Sequence, residues 1–284
     1  MRVQTLGVVG VVLIAVLAGC SGNDDSNRSG SSSSSSSITT SAARKLTILV
    51  TNDDGYSADG IDSVVEALRK LPNVTITVVA PATNQSGTGS KTTPPPLQAT
   101  RQTTKSGYPA TAVAGFPADT ITYALSNVLP EHPDLVVSGI NQGQNLGPIA
   151  SISGTVGAAK AAATAGIPAL AASQGLGDPL DYSGAAALVV DWVRARRDAL
   201  VGGKAEKVVV NLNVPTCPTG TRRGVKQEPL STTATGIAPP PDCTSTATAF
   251  TDDVEAFLAG FASVTELTPA GETVTTSTTW PAAG

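Results

Sequence analysis

The stretch that decides the fold reads Leu-Thr-Ile-Leu-Val-Thr-Asn-Asp-Asp-Gly, at residues 46–55. Its apolar run at 46–50 is typical of a buried central strand, and it ends abruptly in polar residues. Such a strand brings Asn52, Asp53 and Asp54 to the carboxyl end of a sheet, where open α/β folds bind ligands. Two adjacent carboxylates there indicate a cation site or an acid/base pair, although Asn, Asp and Gly also favour a plain turn.

The composition and charge limit the functions that this chain can have. Its 284 residues are 40% hydrophobic and 14% charged, which suffices for a sizeable core in one large or two small domains. The formal net charge of −4 lacks the basic excess that a nucleic-acid backbone requires, so we expect no nucleic-acid scaffold role. A small anionic substrate would then need a metal ion or helix N-termini to hold it.

The amino terminus has the pattern of an export signal. Arg2 supplies a positive charge, residues 8–17 are apolar, and Leu-Ala-Gly-Cys at 17–20 resembles the bacterial lipobox, in which Cys20 is lipidated. The alternative is an ordinary secretory signal with an incidental cysteine. We expect an exported lipoprotein of the cell envelope, anchored on the periplasmic or extracellular side of a membrane. Its predicted segments are a signal peptide at 1–20, a Ser-rich flexible tether at 21–43 and a domain at 44–284.

The residues that follow the carboxylates predict a right-handed βαβ unit. Ser57 or Asp59 could cap the helix, and the alternation at 74–80 predicts the second strand. The apolar residues at helical spacing are Ile61, Val64, Val65, Leu68 and Leu71. Later patterns predict helices at 121–129 and 185–200 and buried strands at 134–138 and 207–210.

Three loops of this predicted domain carry candidate ligands. The loop at 84–92 fails the P-loop pattern because Ser90 stands where a glycine is required, so it either offers Ser86 as an oxygen ligand or is a plain surface loop. The Gly-rich loop at 139–147 does not fit a dinucleotide fingerprint. At Ser153, hydroxyls and glycines open an Ala-rich helix, which indicates either a phosphate site at its N-terminus or a simple helix cap.

Several of these motifs together resemble one family. They are Thr-Asn-Asp-Asp-Gly-Tyr at 51–56, Val-Val-Ala-Pro at 78–81, Val-Ser-Gly-Ile-Asn at 137–141, Asn-Leu-Gly at 145–147 and Ser-Gly-Thr-Val-Gly-Ala-Ala at 153–159. In order and spacing they are similar to the SurE family of metal-dependent 5′/3′-nucleotidases and acid phosphatases. The resemblance implies a three-layer α/β/α, Rossmann-like fold with a largely parallel central sheet and a C-terminal extension. It also implies a homodimer or larger homo-oligomer.

The resemblance implies a set of site residues as well. The metal ligands of the family correspond to Asp53, Asp54, Ser86 and Asn141. Such oxygen ligands suit Mg²⁺ or Mn²⁺, with Ca²⁺ as an alternative. The expected catalytic residues are Asp53, Asp54, Ser153 and Thr155, and the expected substrate and phosphate contacts are Asn52, Gly55, Asn145, Ser153, Gly154 and Thr155.

The sequence also departs from the cytoplasmic members of the family. Pro-Ile-Ala-Ser-Ile at 148–152 replaces their usual acidic stretch and tyrosine. We therefore expect a phosphomonoesterase that acts on nucleoside monophosphates or more broadly on phosphate monoesters. The alternative from another class is a lipid-anchored solute-binding protein without catalysis. His132 is the only histidine, so mechanisms that depend on several histidines lack their parts.

The remaining cysteines predict a disulfide. If lipid occupies Cys20, then Cys217 and Cys243 form an even pair in an oxidising compartment, and both lie in Pro- and Thr-rich sequence. The alternative is a pair of free surface thiols.

Overall fold

The apolar stretch of the first motif lies at the centre of a nine-stranded sheet. The computed structural model describes residues 44–235, 239–274 and 280, and strand β1 covers Leu46–Thr51. Strands β2 (Val74–Pro81) and β5 (Leu135–Gln142) pair with β1 in parallel, one on each side. The apolar run of β1 is therefore buried between two strands and two layers of helices, as the sequence predicts.

The other elements complete a largely parallel sheet. The remaining strands are β3 (Ala99–Thr103), β4 (Pro109–Val113), β6 (Ala169–Gln174), β7 (Val209–Val214), β8 (Val225–Gln227) and β9 (Ala262–Leu267). The α-helices are α1 (Asp59–Leu68), α2 (Pro117–Tyr123), α3 (Gly154–Thr164), α4 (Ser183–Val201) and α5 (Asp253–Leu258). The strand order is β3-β4-β2-β1-β5-β6-β7-β9-β8, and only the pairs β3–β4 and β7–β9 are antiparallel.

Two apolar clusters lie on opposite faces of this sheet. Helices α1 and α4 bury their apolar residues in one cluster, and helices α2 and α3 contribute to the other. Because successive side chains of a strand point to opposite faces, the central strands supply both clusters. The predicted three-layer α/β/α fold is confirmed.

Some predicted boundaries were wrong. Neither Ser57 nor Asp59 caps α1, which is preceded by Ala58 and has no side-chain cap. The strand predicted at 134–138 extends to Gln142, and the strand predicted at 207–210 begins at Val209 and continues to Val214. In both cases the strand continues through polar residues, Asn141 and Gln142 in β5 and Asn211 and Asn213 in β7.

The C-terminal part of the chain adds an antiparallel strand to the sheet. Strand β9 pairs with β7, and α5 packs against β9. Cys217 and Cys243 form a disulfide with their Cα atoms 5.7 Å apart, so the predicted pair is bridged in the structure.

The segments predicted at 1–20 and 21–43, including Cys20, lie outside the described residues. Within the described part of the chain, no helix is long and apolar enough to span a membrane.

Candidate active site

Four segments of the chain meet at the carboxyl edge of the sheet. The two carboxylates follow β1, and the neighbouring parallel strand β5 ends beside them. The loop after β2 is tied to the first segment, because the Gln85 N–H donates to the Asp53 carbonyl oxygen over 2.7 Å. Helix α3 approaches from the same side, where the Gly89 N–H donates to the Ile152 carbonyl just before the helix. The segments that carry the predicted site residues therefore lie side by side at this edge.

A tight turn directs the two carboxylates into this site. The Asn52 Nδ2 donates to the Gly55 carbonyl over 2.9 Å, and the Asn52 Oδ1 accepts from the Gly55 N–H over 3.2 Å. Gly55 has a φ of +106°, which favours glycine. Asn52 and Gly55, predicted as substrate contacts, thus close the turn that carries Asp53 and Asp54.

The N-terminus of α3 holds Asp53. The carboxylate is only 2% exposed, and its Oδ1 accepts from the Thr155 hydroxyl over 2.6 Å. The backbone N–H groups of Gly154 and Thr155 also donate to it. A Cβ at position 154 would lie 2.7 Å from the Asp53 Cβ, so this approach requires glycine. Burial raises the pKa of Asp53, although these hydrogen bonds act in the opposite direction.

Asp54 lies closer to solvent and is held by the two flanking loops. Its Oδ1 accepts from the Asn84 Nδ2 and its Oδ2 from the Gln142 N–H, each over 3.2 Å, and the Ser86 hydroxyl also hydrogen-bonds to it. Burial, and then the negative charge of Asp53, raise the pKa of Asp54 to about 6. None of the ion pairs among the described residues includes either carboxylate. The pair is therefore a site of uncompensated negative charge.

This donor set suits a hard cation. The described residues include no group of three or more His, Cys, Asp or Glu side chains that could hold a metal, so a site here depends on neutral oxygens as well. Ser86 contacts Asp54, and Asn141 precedes the residue that donates to it. The Asn141 Nδ2 donates to the Gly143 carbonyl over 2.6 Å, a bond that does not involve the amide oxygen. Two carboxylates, a hydroxyl and an amide oxygen match the preferences of Mg²⁺, Mn²⁺ and Ca²⁺.

The predicted phosphate contacts Ser153, Thr155 and Asn145 form hydrogen bonds with other residues of the protein. The Ser153 Oγ caps the helix by accepting from the Val156 N–H over 3.1 Å, so the simple-cap alternative describes this oxygen. The hydroxyl of Thr155, which is fully buried, is used by Asp53. Asn145 is also buried, and its Nδ2 donates to the Ser173 Oγ over 2.9 Å. The phosphate roles of these residues stay predictions.

Several residues that support the site were not predicted as site residues. Asn211 and Asn213, from β7, hydrogen-bond to the backbone of Asn145. Their spacing of two residues in a strand placed both on one face, a signal that could have been used. Asp253 accepts from the backbone N–H groups of Gly147 and Ser231, and burial raises the pKa of Asp253 to about 6. No local pattern indicated this long-range contact.

The chain is similar to proteins of one known family. Residues 48–236 match the family model described as "Survival protein SurE". The chain is 42% identical over 172 residues to "5'-nucleotidase SurE" of Pelobacter propionicus, covering 60% of this chain and 66% of that protein. It is 38% identical over 181 residues to the protein of the same name from Symbiobacterium thermophilum, covering 63% and 70%.

The match to one solved structure extends further along the chain. The SurE protein from Aquifex aeolicus superposes with a TM-score of 0.65 at 29% identity, covering 78% of this chain and 93% of that one. By contrast, the sequence match covers 66% of the Pelobacter protein. It covers 64% of "5'-nucleotidase SurE" of Synechococcus sp. strain CC9311, so in both cases the chain spans just under two thirds of the relative's length.

Proposed function

Since the chain belongs to the SurE family, we propose that it is a metal-dependent phosphomonoesterase that acts on nucleoside monophosphates or more broadly on phosphate monoesters. One observation carries the proposal: Asp53 and Asp54 form an uncompensated carboxylate pair at the carboxyl edge of the sheet. A divalent cation offsets such repulsion and attracts a phosphoryl group to the same place. The relatives named 5′-nucleotidase support the nucleotide as one substrate class.

The residues of the chain divide into ligands and supports. Asp53, Asp54, Ser86 and Asn141 are the proposed ligands, with Mg²⁺ or Mn²⁺ as the preferred ion and Ca²⁺ as the alternative. When bound, such an ion neutralises phosphoryl charge and makes a bound water more acidic. The Thr155 hydroxyl and the N-terminus of α3 fix Asp53, and the Gln142 N–H and Asn84 fix Asp54.

The phosphate group itself would bind next to Ser153. The Ser153 oxygen accepts from the backbone, so its own hydroxyl hydrogen is the group that can donate to a phosphoryl oxygen. Asn145 lies in the loop between Asn141 and Ser153 and is the proposed second contact. These assignments complete the expected catalytic set of Asp53, Asp54, Ser153 and Thr155, in which Thr155 acts through Asp53.

The residues beside the site support a substrate range that is not limited to nucleotides. At 148–152 the loop is uncharged, and the Ile152 side chain is 55% exposed immediately before Ser153. An aliphatic side chain there offers no hydrogen bond to a particular leaving group. Aromatic and aliphatic phosphate monoesters are therefore proposed substrates alongside nucleoside monophosphates.

Phosphate release from a panel of phosphate monoesters tests the proposal. The purified chain is assayed with Mg²⁺, Mn²⁺ or Ca²⁺ and again in excess chelator, with nucleoside monophosphates and aromatic monoesters side by side. We expect turnover that chelator abolishes and that added Mg²⁺ or Mn²⁺ restores. Binding of these compounds without turnover under every condition would favour the solute-binding alternative instead.

We also propose that the protein is an exported lipoprotein attached to a membrane through Cys20. The charged start, the apolar segment and Leu-Ala-Gly-Cys at 17–20 support it. Mass spectrometry of the mature amino terminus tests it, and a chain that begins elsewhere or carries an unmodified Cys20 contradicts it. A homodimer or larger homo-oligomer is proposed from the family, and light scattering measures its mass.

A further inference from the structure

A buried clamp of three polar side chains holds the loop between β5 and α3. This loop follows β5, which carries the proposed cation ligand Asn141 near its end, and leads to the proposed phosphate contact Ser153 at the start of α3. The clamp consists of Ser173 on β6 and of Asn211 and Asn213 on β7, all with no exposed surface. Each of the three hydrogen-bonds to the same loop residue, Asn145.

The clamp fixes both the peptide groups and the side chain of Asn145. The Asn145 N–H donates to the Asn213 Oδ1 over 2.6 Å. The Asn145 carbonyl accepts from the Asn211 Nδ2 over 2.9 Å and from the Asn213 Nδ2 over 3.3 Å. The Asn145 Nδ2 donates to the Ser173 Oγ over 2.9 Å. Since residues on strands are held more precisely than residues on loops, these bonds attach the loop to a well-ordered support.

One atom of the clamp is unfavourable for stability. The Asn211 Oδ1 is buried and accepts no hydrogen bond from any described residue. An unpaired buried acceptor destabilises the folded state, and an apolar residue of the same shape avoids this penalty. A residue whose only task was to stabilise the sheet would gain from being apolar at this position.

From this conflict we infer that Asn211 and Asn213 are positioning residues, which hold the loop so that Asn141 and Asn145 face the site. The inference rests on the proposed function for its chemistry. Residues that orient the ligands of a metal commonly change metal affinity or activity by 10- to 100-fold when replaced. Small displacements of a reacting group have effects of the same size.

The test compares Asn211→Leu with a matched control, Thr265→Val. Thr265 is the β9 partner of Asn211 in the sheet register, is 1% exposed and donates one bond of 2.8 Å to the Glu228 carbonyl, away from the loop. Both changes keep the approximate shape and remove one buried hydrogen bond to a carbonyl. Each protein is measured for melting temperature, kcat, KM and the dissociation constant of Mn²⁺, with calorimetry for the last.

We expect Asn211→Leu to melt at or above the temperature of the parent while its kcat falls by about tenfold or more. The control should lose some thermal stability and keep its kcat within about twofold, since its bond does not reach the loop. The inference is overturned if Asn211→Leu retains the kcat and the Mn²⁺ affinity of the parent. It is also overturned if its losses equal those of Thr265→Val.

A second variant provides a readout that does not depend on activity. Asn213→Leu removes the acceptor of the Asn145 N–H, so hydrogen exchange of that amide should accelerate by about tenfold or more while exchange in β6 and β7 stays slow. Unchanged exchange at Asn145 contradicts the clamp. If the parent binds Mn²⁺ but hydrolyses no monoester, the proposed function fails, and the exchange and Mn²⁺ measurements still decide the inference.

Discussion

Replacing Asp54 by asparagine should separate activity from stability. The Asp54→Asn change keeps the volume and one oxygen of the side chain but removes its charge. If Asp54 is a cation ligand, phosphate release should fall by about 100- to 1,000-fold, the usual effect of losing one preorganised electrostatic contact in an active site. If residues 52–55 formed only a turn, asparagine would be tolerated, since it suits turns as well as aspartate does.

The effect on stability follows from the surroundings of Asp54. Burial, and then the charge of Asp53, raise the pKa of Asp54 from 3.8 to about 6, so the charged form is disfavoured in the fold. Two pKa units correspond to about 3 kcal/mol for a fully buried group, and solvent screening of this partly exposed side chain reduces the gain to about 1–2 kcal/mol. The amide nitrogen cannot accept, so at least one of the hydrogen bonds from Asn84, Gln142 and Ser86 is lost, which costs about 1 kcal/mol. The two terms nearly cancel, and the fold should be retained.

Asp62→Asn is the matched control. Asp62 is 8% exposed and accepts from the hydroxyls of Thr104 and Ser106 and from the Ser106 N–H, over 2.6–2.8 Å. Burial acts to raise the pKa of Asp62, but the Ser106 and Thr104 hydrogen bonds outweigh it and the pKa is lowered. Its charge is therefore favourable, and the amide should cost about 1.5–3 kcal/mol of stability without affecting hydrolysis.

The assay measures urea unfolding of the metal-free proteins at pH 7.5 and phosphate release with saturating Mn²⁺. If Asp54 is a cation ligand, Asp54→Asn should be stable and inactive, whereas Asp62→Asn should be less stable and active. Near-parental hydrolysis by a folded Asp54→Asn protein would refute the reasoning and, with it, the proposed phosphatase. A large loss of stability in Asp54→Asn would show that its charge is compensated within the protein.

Three further predictions concern the supports of the site and the C-terminal part. Thr155→Val removes the hydroxyl that donates to Asp53 over 2.6 Å, so stability should fall by about 1.5–3 kcal/mol and kcat by about tenfold or more, measured by urea unfolding and phosphate release. For Asp253, burial raises the folded pKa to about 6, above its ordinary value of 3.8, so its contribution to stability is greatest below pH 3.8 and is lost as the pH rises through 6. Urea unfolding between pH 4 and pH 7.5 should show a smaller loss in Asp253→Asn than in the parent, because Asp53 and Asp54 keep their raised pKa values in both proteins, and equal slopes would contradict it. Reduction of the Cys217–Cys243 disulfide, 26 residues apart, should cost about 3 kcal/mol, and labelling of both thiols without a reductant would exclude the bridge in solution.

The parts of the fold that the sequence predicted are those with a strong local pattern. Strand β1 is almost entirely buried, and the helix predicted at 185–200 buries its apolar residues. Both therefore have an apolar pattern that the sequence shows directly. Strand β3 was missed because four of its five residues are exposed and it reads Ala-Thr-Arg-Gln-Thr, without apolar alternation. Its existence depends on pairing with β4, a tertiary contact that a local pattern does not contain.

The site residues, like the fold, were predicted only where the signal in the sequence is local. The adjacency of Asp53 and Asp54 at a strand end was enough to predict a charged site. By contrast, the same features of α3 that suit a phosphate also suit a carboxylate of the chain, and the sequence does not say which one binds. The 2.6 Å bond from Thr155 to Asp53 and the N–H groups directed at that carboxylate are properties of the folded chain.

A turn and a cation site are alternative interpretations of residues 52–55, but in the structure the turn itself brings the two carboxylates together. Asn52 and Gly55 close the turn through two hydrogen bonds, and the residues between them are the two carboxylates. Extended geometry would send adjacent side chains to opposite faces, so a turn is what allows Asp53 and Asp54 to face one region. Their mutual repulsion is then a consequence of the turn, and it adds to burial, the larger cause, in raising the pKa of Asp54. A polar motif at the end of a buried strand is therefore best tested by removing charge at constant shape, because that change spares the turn and affects only the site.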